Sequence, residues 1–137
     1  MGIREQAPVV AVVAAGGVLG ASARYAATLA WPTAPGTFPW TIFLVNAVGC
    51  AAIGLLMVFA TEAPEAPHPL LRPFLGTGFC GGFTTFSTYA LDARGLFGAG
   101  SPVEGVLYLG GTLLTALAAV VGGVAAGRAL WVRREPA

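Results

Sequence analysis

The chain is poor in everything that soluble enzymes use. It has no lysine, one histidine and two cysteines, and 9% of its residues are charged. Soluble domains carry roughly 25%. The net charge is +1, so nothing in the charge balance favours nucleic acid or an acidic partner. A single His with no Ser/His/Asp grouping argues against catalysis. Cys50 and Cys80 sit in apolar windows and lack metal or disulfide spacing. The glycine-rich stretch after Pro73 is not a phosphate loop, because no GK[ST] follows it. No internal repeat or low-complexity tract is visible.

What the chain does have is long uncharged runs. No charged residue lies between Arg24 and Glu62, and Pro73 to Leu91 and Gly105 to Gly127 are also free of charge. Each window meets the ~20 residues needed to cross the hydrocarbon core of a bilayer. With 137 residues there is room for one domain, read here as residues 1–137 with four membrane helices. The expected fold is an all-α membrane protein.

The start imitates a signal peptide, with a basic end and an apolar core. The apolar character resumes after Arg24, however, so the first helix is expected over about 9–31. Within it Gly16 and Gly20 form a GxxxG pair suited to close helix contact. Arg24 has two readings: a side chain snorkelling to the surface, or a vestibule charge that attracts anions. A Pro/Gly turn follows, flanked by Trp31 and Trp40 at interface depth. The second helix is expected over 38–61. Its one strongly polar group is Asn46, which could hold helices together or donate to an anion. The loop Glu62 to Pro73 is kept extended by four prolines and carries His68, which has no second ligand nearby.

The third helix, 70–97, contains GTGFCGGFTTFSTY, from Gly76 to Tyr89. Its glycines are poor helix formers. Thr84, Thr85, Ser87 and Thr88 add hydroxyls that need partners in hydrocarbon. A mid-membrane break at Gly81 to Thr84 is expected, facing protein or a polar passage. The fourth helix, 103–132, carries Tyr108, Thr112 and Thr115 on one line and a second GxxxG, Gly123 and Gly127. Four spans put both termini on one side. That side holds Arg4, Arg72, Arg128, Arg133 and Arg134, so the termini lean cytoplasmic.

The uncharged windows hold no carboxylate of the kind a proton-driven transporter wants. What remains inside the membrane is amide, hydroxyl, aromatic edge and freed backbone. That inventory suits a small, strongly hydrated anion, and freed carbonyls suit a bound cation. On physical grounds alone the chain reads as a small polytopic membrane protein with a polar passage.

GGVLGASARY (Gly16 to Tyr25), VNAVG around Asn46 and above all GFCGGFTTFSTY (Gly78 to Tyr89) resemble the CrcB/Fluc family of fluoride channels. The likeness covers nearly the whole chain and is weakest in the fourth helix. It implies an antiparallel, dual-topology dimer in a bacterial inner membrane, with two fluoride pores and a central structural Na+. It further implies passive export of fluoride from the cytoplasm. By position, the Na+ site falls on the carbonyls of Gly81 and Thr84 from both subunits. The pore falls on Asn46, Phe86 and Tyr89, with Ser87 and Thr88 beside them and Arg24 in the first helix. In the fourth helix it runs through Tyr108 and Thr112, with Thr115 standing in further along.

Three departures stand out. Tyr89 replaces the usual Phe, Ala116 and Val120 replace hydroxyls, and the arginine bias between the two sides is larger than dual topology favours. The partner is therefore either a second copy or an oppositely oriented homologue. The alternative reading is a small multidrug-type transporter, also of four spans, although Val9 to Ala23 lacks the expected acid.

Overall fold

The structure, a computed structural model, describes residues 2–132; Arg133 and Arg134, which entered the topology argument, lie outside it. It is helical throughout, with no strand among the described residues. Helix α1 spans Ile3–Ala30 and α2 spans Trp40–Glu62. Next, α3 comprises a π-helical stretch, Pro73–Cys80, and one α turn, Gly81–Phe83. After an interruption at residues 84–86 comes α4, Ser87–Gly98, and then α5, Pro102–Gly127, which continues in wide turns over Arg128–Val132.

Among the described residues three helices are long and apolar enough to cross a membrane: Ile3–Ala30, Trp40–Glu62 and Pro102–Trp131, with mean hydropathies of 1.6, 2.5 and 1.9. Neither α3 nor α4 is long enough alone. At 1.5 Å per residue the 12 residues of α4 span only about 18 Å.

The first helix begins at Ile3 rather than near Val9. Its polar first turn is held by the Glu5 carboxylate, which accepts the Gly2 N–H at 3.0 Å. The turn between α1 and α2 needs a left-handed residue and finds it in Gly36, φ 76°. The α4–α5 corner does the same with Gly100, φ 78°. There Ser101 N–H reaches the Leu96 carbonyl (3.0 Å) and Gly100 N–H the Phe97 carbonyl (3.2 Å), closing the end of α4.

Small residues set the packing. A Cβ on Gly16 would collide with backbone of Phe74 and Phe79, one on Gly20 with backbone of Phe79 and Phe83. From the other side, Gly78 meets Val13 and Gly16, and Gly82 meets Gly17 and Ala21. Two GxxxG pairs, 16/20 and 78/82, thus face each other and bring α1 against α3 backbone to backbone. The second close pair is α2 with α5. Gly54 admits the backbone at Val120 and Val124, and Gly123 admits that at Ala51 and Leu55. Without a water-driven hydrophobic force inside a bilayer, such shape fit supplies much of the association.

The best-buried cluster is Ala93, Leu96 and Tyr108, with Phe38, Phe43, Tyr89 and Leu109 around it. It joins α4 to α5 on the far side of the interruption. At the opposite end the Arg128 guanidinium pairs with Glu62 at 2.9 Å, tying the ends of α2 and α5. Large apolar side chains including Val18, Leu19, Leu114 and Val121 point outward, as a lipid-facing surface requires.

A candidate anion passage

Everything at the site starts from Asn46. It is 8% exposed, and its carboxamide pairs with both backbone groups of Thr85. Thr85 N–H donates to Asn46 Oδ1 at 2.8 Å, and Asn46 Nδ2 donates to the Thr85 carbonyl at 3.0 Å. The helix can break here because a side chain of α2 replaces the partners that the helix would have supplied. Thr84, with ψ 156°, turns the chain out of the helix. Its methyl lies against Gly49 of α2, where a Cβ would collide with it.

Thr85 then restarts the helix. Its Oγ1 accepts the Thr88 N–H at 3.2 Å, as an N-terminal cap does. The same hydroxyl donates to Thr88 Oγ1 at 3.2 Å and lies 3.4 Å from Ser87 Oγ. Thr85 was not among the site residues inferred from sequence. A Ser/Thr just ahead of a helix, in TTFSTY, was the signal available.

These bonds have a consequence for the carbonyls behind them. In an unbroken helix Thr85 N–H would serve the Gly81 carbonyl and Thr88 N–H the Thr84 carbonyl. Asn46 takes the first donor and the Thr85 hydroxyl takes the second. The carbonyls of Gly81 and Thr84 are thereby released from the helix, and carbonyl oxygens are suitable ligands for a hard monovalent cation. The Thr84 carbonyl accepts a long bond, 3.4 Å, from Arg24 Nη1. The interruption itself falls at residues 84–86, later than the expected Gly81 to Thr84, because Gly81–Phe83 still forms a helical turn. Gly78 and Gly82 are there for contact with α1, and Thr85 with Asn46 makes the break.

A groove of about 540 Å³ opens beside this break. Asn46, Thr84, Thr85, Phe86, Tyr89 and Thr112 line it, together with Cys50, Ile53, Leu109, Leu113 and Ala116. Phe86 stands at its edge with 79% of its surface exposed. Its ring meets Tyr89 edge-on, with centroids 5.7 Å apart. Thr112 is 8% exposed, and its hydroxyl is the one buried side-chain oxygen without a hydrogen-bond partner among the described residues. An orphan hydroxyl of this kind costs free energy unless something else satisfies it.

The remaining sequence-inferred residues are placed as follows. Tyr108 is fully buried below the groove, its hydroxyl donating to Asp92 Oδ2 at 3.4 Å. Thr115 is half-buried and does not line the groove. Ser87, Thr88 and Arg24 do not line it either; the first two surround the Thr85 hydroxyl, and Arg24 faces the Thr84 carbonyl. Asp92, which sequence reasoning left without a role, is the Tyr108 partner and also lines a smaller cavity under the α1–α2 turn.

Helices fit to cross a bilayer, packed through glycines and flanking a mostly apolar groove with a few polar groups at a helix break, define a multi-pass membrane protein. Residues 11–124 match the family described as CrcB-like protein, Camphor Resistance (CrcB), and the chain belongs to that family. It is 64% identical over 119 residues to fluoride-specific ion channel FluC 1 of Streptomyces coelicolor, covering 87% of this chain and 77% of that protein. It is 61% identical over 108 residues to FluC 2 of Streptomyces avermitilis, covering 79% and 68%. It is 54% identical over 116 residues to FluC 2 of Nocardia farcinica, covering 85% and 82%. These relatives are named as channels, not as enzymes.

Proposed function

We propose that the chain is a fluoride-selective channel through which fluoride leaves the cytoplasm passively, down its gradient. The observation that carries this is the groove. It gathers a buried amide, an unpartnered hydroxyl and two aromatic edges, in a chain whose relatives are named fluoride-specific ion channels. Fluoride gives up its water only where short hydrogen bonds replace it. Asn46 spends one amide proton on Thr85 and has one left; Thr112 has its hydroxyl free. Ring edges of Phe86 and Tyr89 carry partial positive charge and extend the path without demanding protons. Together they stabilise a small anion and offer little to a large one, so selectivity follows from size and hydration.

In this reading α3 and α4 together form the third of four spans, broken in mid-membrane at residues 84–86. The functional unit is an antiparallel dual-topology dimer, built from two copies or from this chain and an oppositely oriented homologue. The groove is open on one side in the single chain, and a partner would close it. A structural Na+ at the dimer centre would be held by the carbonyls of Gly81 and Thr84 of each subunit. The loss of their helical donors to Asn46 and Thr85 supports that assignment. A cation there would supply fixed positive charge; Asn46 and Thr85 hold the break in shape.

The multidrug-transporter alternative gains nothing from the structure. The one acid near the start of α1, Glu5, is exposed and accepts from the Gly2 backbone. The test is direct: reconstitute the purified protein in liposomes loaded with fluoride and follow efflux with a fluoride electrode. Efflux that exceeds protein-free vesicles and discriminates against chloride is expected. No efflux from an assembled dimer would end the channel reading.

A further inference from the structure

Tyr89 stands at a groove position, yet its hydroxyl does not serve the groove. It donates to the backbone carbonyl of Leu109 on α5 at 2.7 Å, the short end of ordinary O–H···O bonds. A phenol has one proton to give, and here it is spent. The ring is held from two more directions. Tyr108 lies 5.2 Å away between centroids, and Tyr108 is itself buried, edge-on to Phe38 at 5.3 Å. On its outer side Tyr89 meets the exposed ring of Phe86 at 5.7 Å. The order of support thus runs from the buried Tyr108, through Tyr89, to the exposed Phe86.

The geometry points to the Tyr89 hydroxyl as a latch: a positioning group that pins its own ring to α5 and, through it, holds the Phe86 edge toward the groove. The inference rests on the channel reading above. The hydroxyl lies on the axis about which the ring flips, so the latch leaves flips free. What it blocks is a change of χ1, which would swing the ring away from α5 and widen the groove beside Phe86. A phenylalanine at 89 keeps the same ring and the same neighbours but loses the pin. The Leu109 carbonyl keeps its helical donor four residues on, so nothing buried is left bare by that change. The latch therefore keeps the Phe86 edge in the path.

The experiment compares wild type and Tyr89→Phe in the same liposomes, with fluoride and chloride efflux measured side by side. Wild-type efflux tests the channel reading by itself; the ratio of variant to wild type tests the latch. The expected result is fluoride efflux slower by roughly threefold to tenfold, the factor that one hydrogen bond carries, because the Phe86 edge is no longer held in the path, and a lower fluoride-to-chloride ratio. A purely structural bond would lower the melting temperature and leave both fluxes and their ratio unchanged, and that result overturns the latch. A second measurement needs no variant. In the labelled wild-type protein the Tyr89 hydroxyl proton should exchange with water more slowly than that of Tyr25, which is exposed. Equal exchange rates would also overturn it.

Discussion

The Asn46 side chain and the Thr85 main chain form a closed pair, with Thr85 N–H on Oδ1 at 2.8 Å and Nδ2 on the Thr85 carbonyl at 3.0 Å. One side chain on α2 thereby substitutes for two rungs of helix. Replacing Asn46 by Leu strips both groups of their partners in a buried place, at about 1–3 kcal/mol for each group left bare. Asn46→Leu should therefore melt well below wild type in detergent and lose fluoride efflux. Asn46→Asp keeps the acceptor and loses the donor, so it should fall between the two. Melting curves of the three proteins check the order; an Asn46→Leu protein as stable as wild type would remove Asn46 from the break.

The glycines divide into those that touch and those that do not. An added methyl at Gly82 would strike the Gly17 carbonyl, whereas one at Gly122 meets nothing within 4 Å. Gly82→Ala should cost on the order of 1–3 kcal/mol through overpacking of α1 on α3. Gly122→Ala should be neutral or stabilising by up to about 1 kcal/mol, because Ala is the better helix former. Thermal denaturation of the two variants side by side gives the comparison, and equal effects would mean that α1 and α3 do not meet through Gly82.

Much of this was legible in the sequence, but for different reasons at different places. The uncharged windows fix where apolar helices must lie, since a charge inside hydrocarbon is costly and its absence over twenty residues is informative. The pair Gly16/Gly20 and the pair Gly123/Gly127 were readable as contact faces, and both are used as such. The position of the break was not readable. Glycine-rich sequence suggests weak helix at Gly81, yet Gly81 remains helical, and its neighbours Gly78 and Gly82 serve as contact points. The break lies where a residue 39 positions away supplies the hydrogen bonds. That information is tertiary, and no local propensity contains it. The same holds for Tyr89, whose hydroxyl was readable as a departure from the family but whose acceptor, the Leu109 carbonyl, was not.

Thr112 and Phe86 separate conduction from stability. The Thr112 hydroxyl is buried without a partner, so the fold gains nothing from it. Thr112→Val keeps the shape and removes the orphan, and the protein should be as stable as wild type or more so by about 1 kcal/mol. Fluoride efflux should nevertheless fall, because a donor has left the groove. Phe86 is largely exposed in the single chain, so Phe86→Ile should also leave the state of assembly as in wild type while cutting flux strongly. Size-exclusion chromatography reads assembly, and the fluoride electrode reads flux. Unchanged flux in either variant would take that residue out of the path.

Arg24 and a Na+ at the proposed site would compete for one oxygen. The guanidinium reaches the Thr84 carbonyl at 3.4 Å, the same carbonyl that would face the cation. A like charge at this range is repulsive, and the repulsion is strongest where water is scarce. Arg24→Gln removes the charge and retains a donor of similar reach. Two outcomes follow if the Gly81 and Thr84 carbonyls bind Na+. Replacing Na+ by a large organic cation should lower the melting temperature of the wild-type protein. In Arg24→Gln the Na+ concentration that restores half of the lost stability should be lower than in wild type. A titration of melting temperature against Na+ measures both, independently of transport. Melting that ignores Na+ in both proteins would exclude a cation held by these carbonyls. A shift of the midpoint to higher Na+ in Arg24→Gln would mean that Arg24 supports the site and does not oppose it.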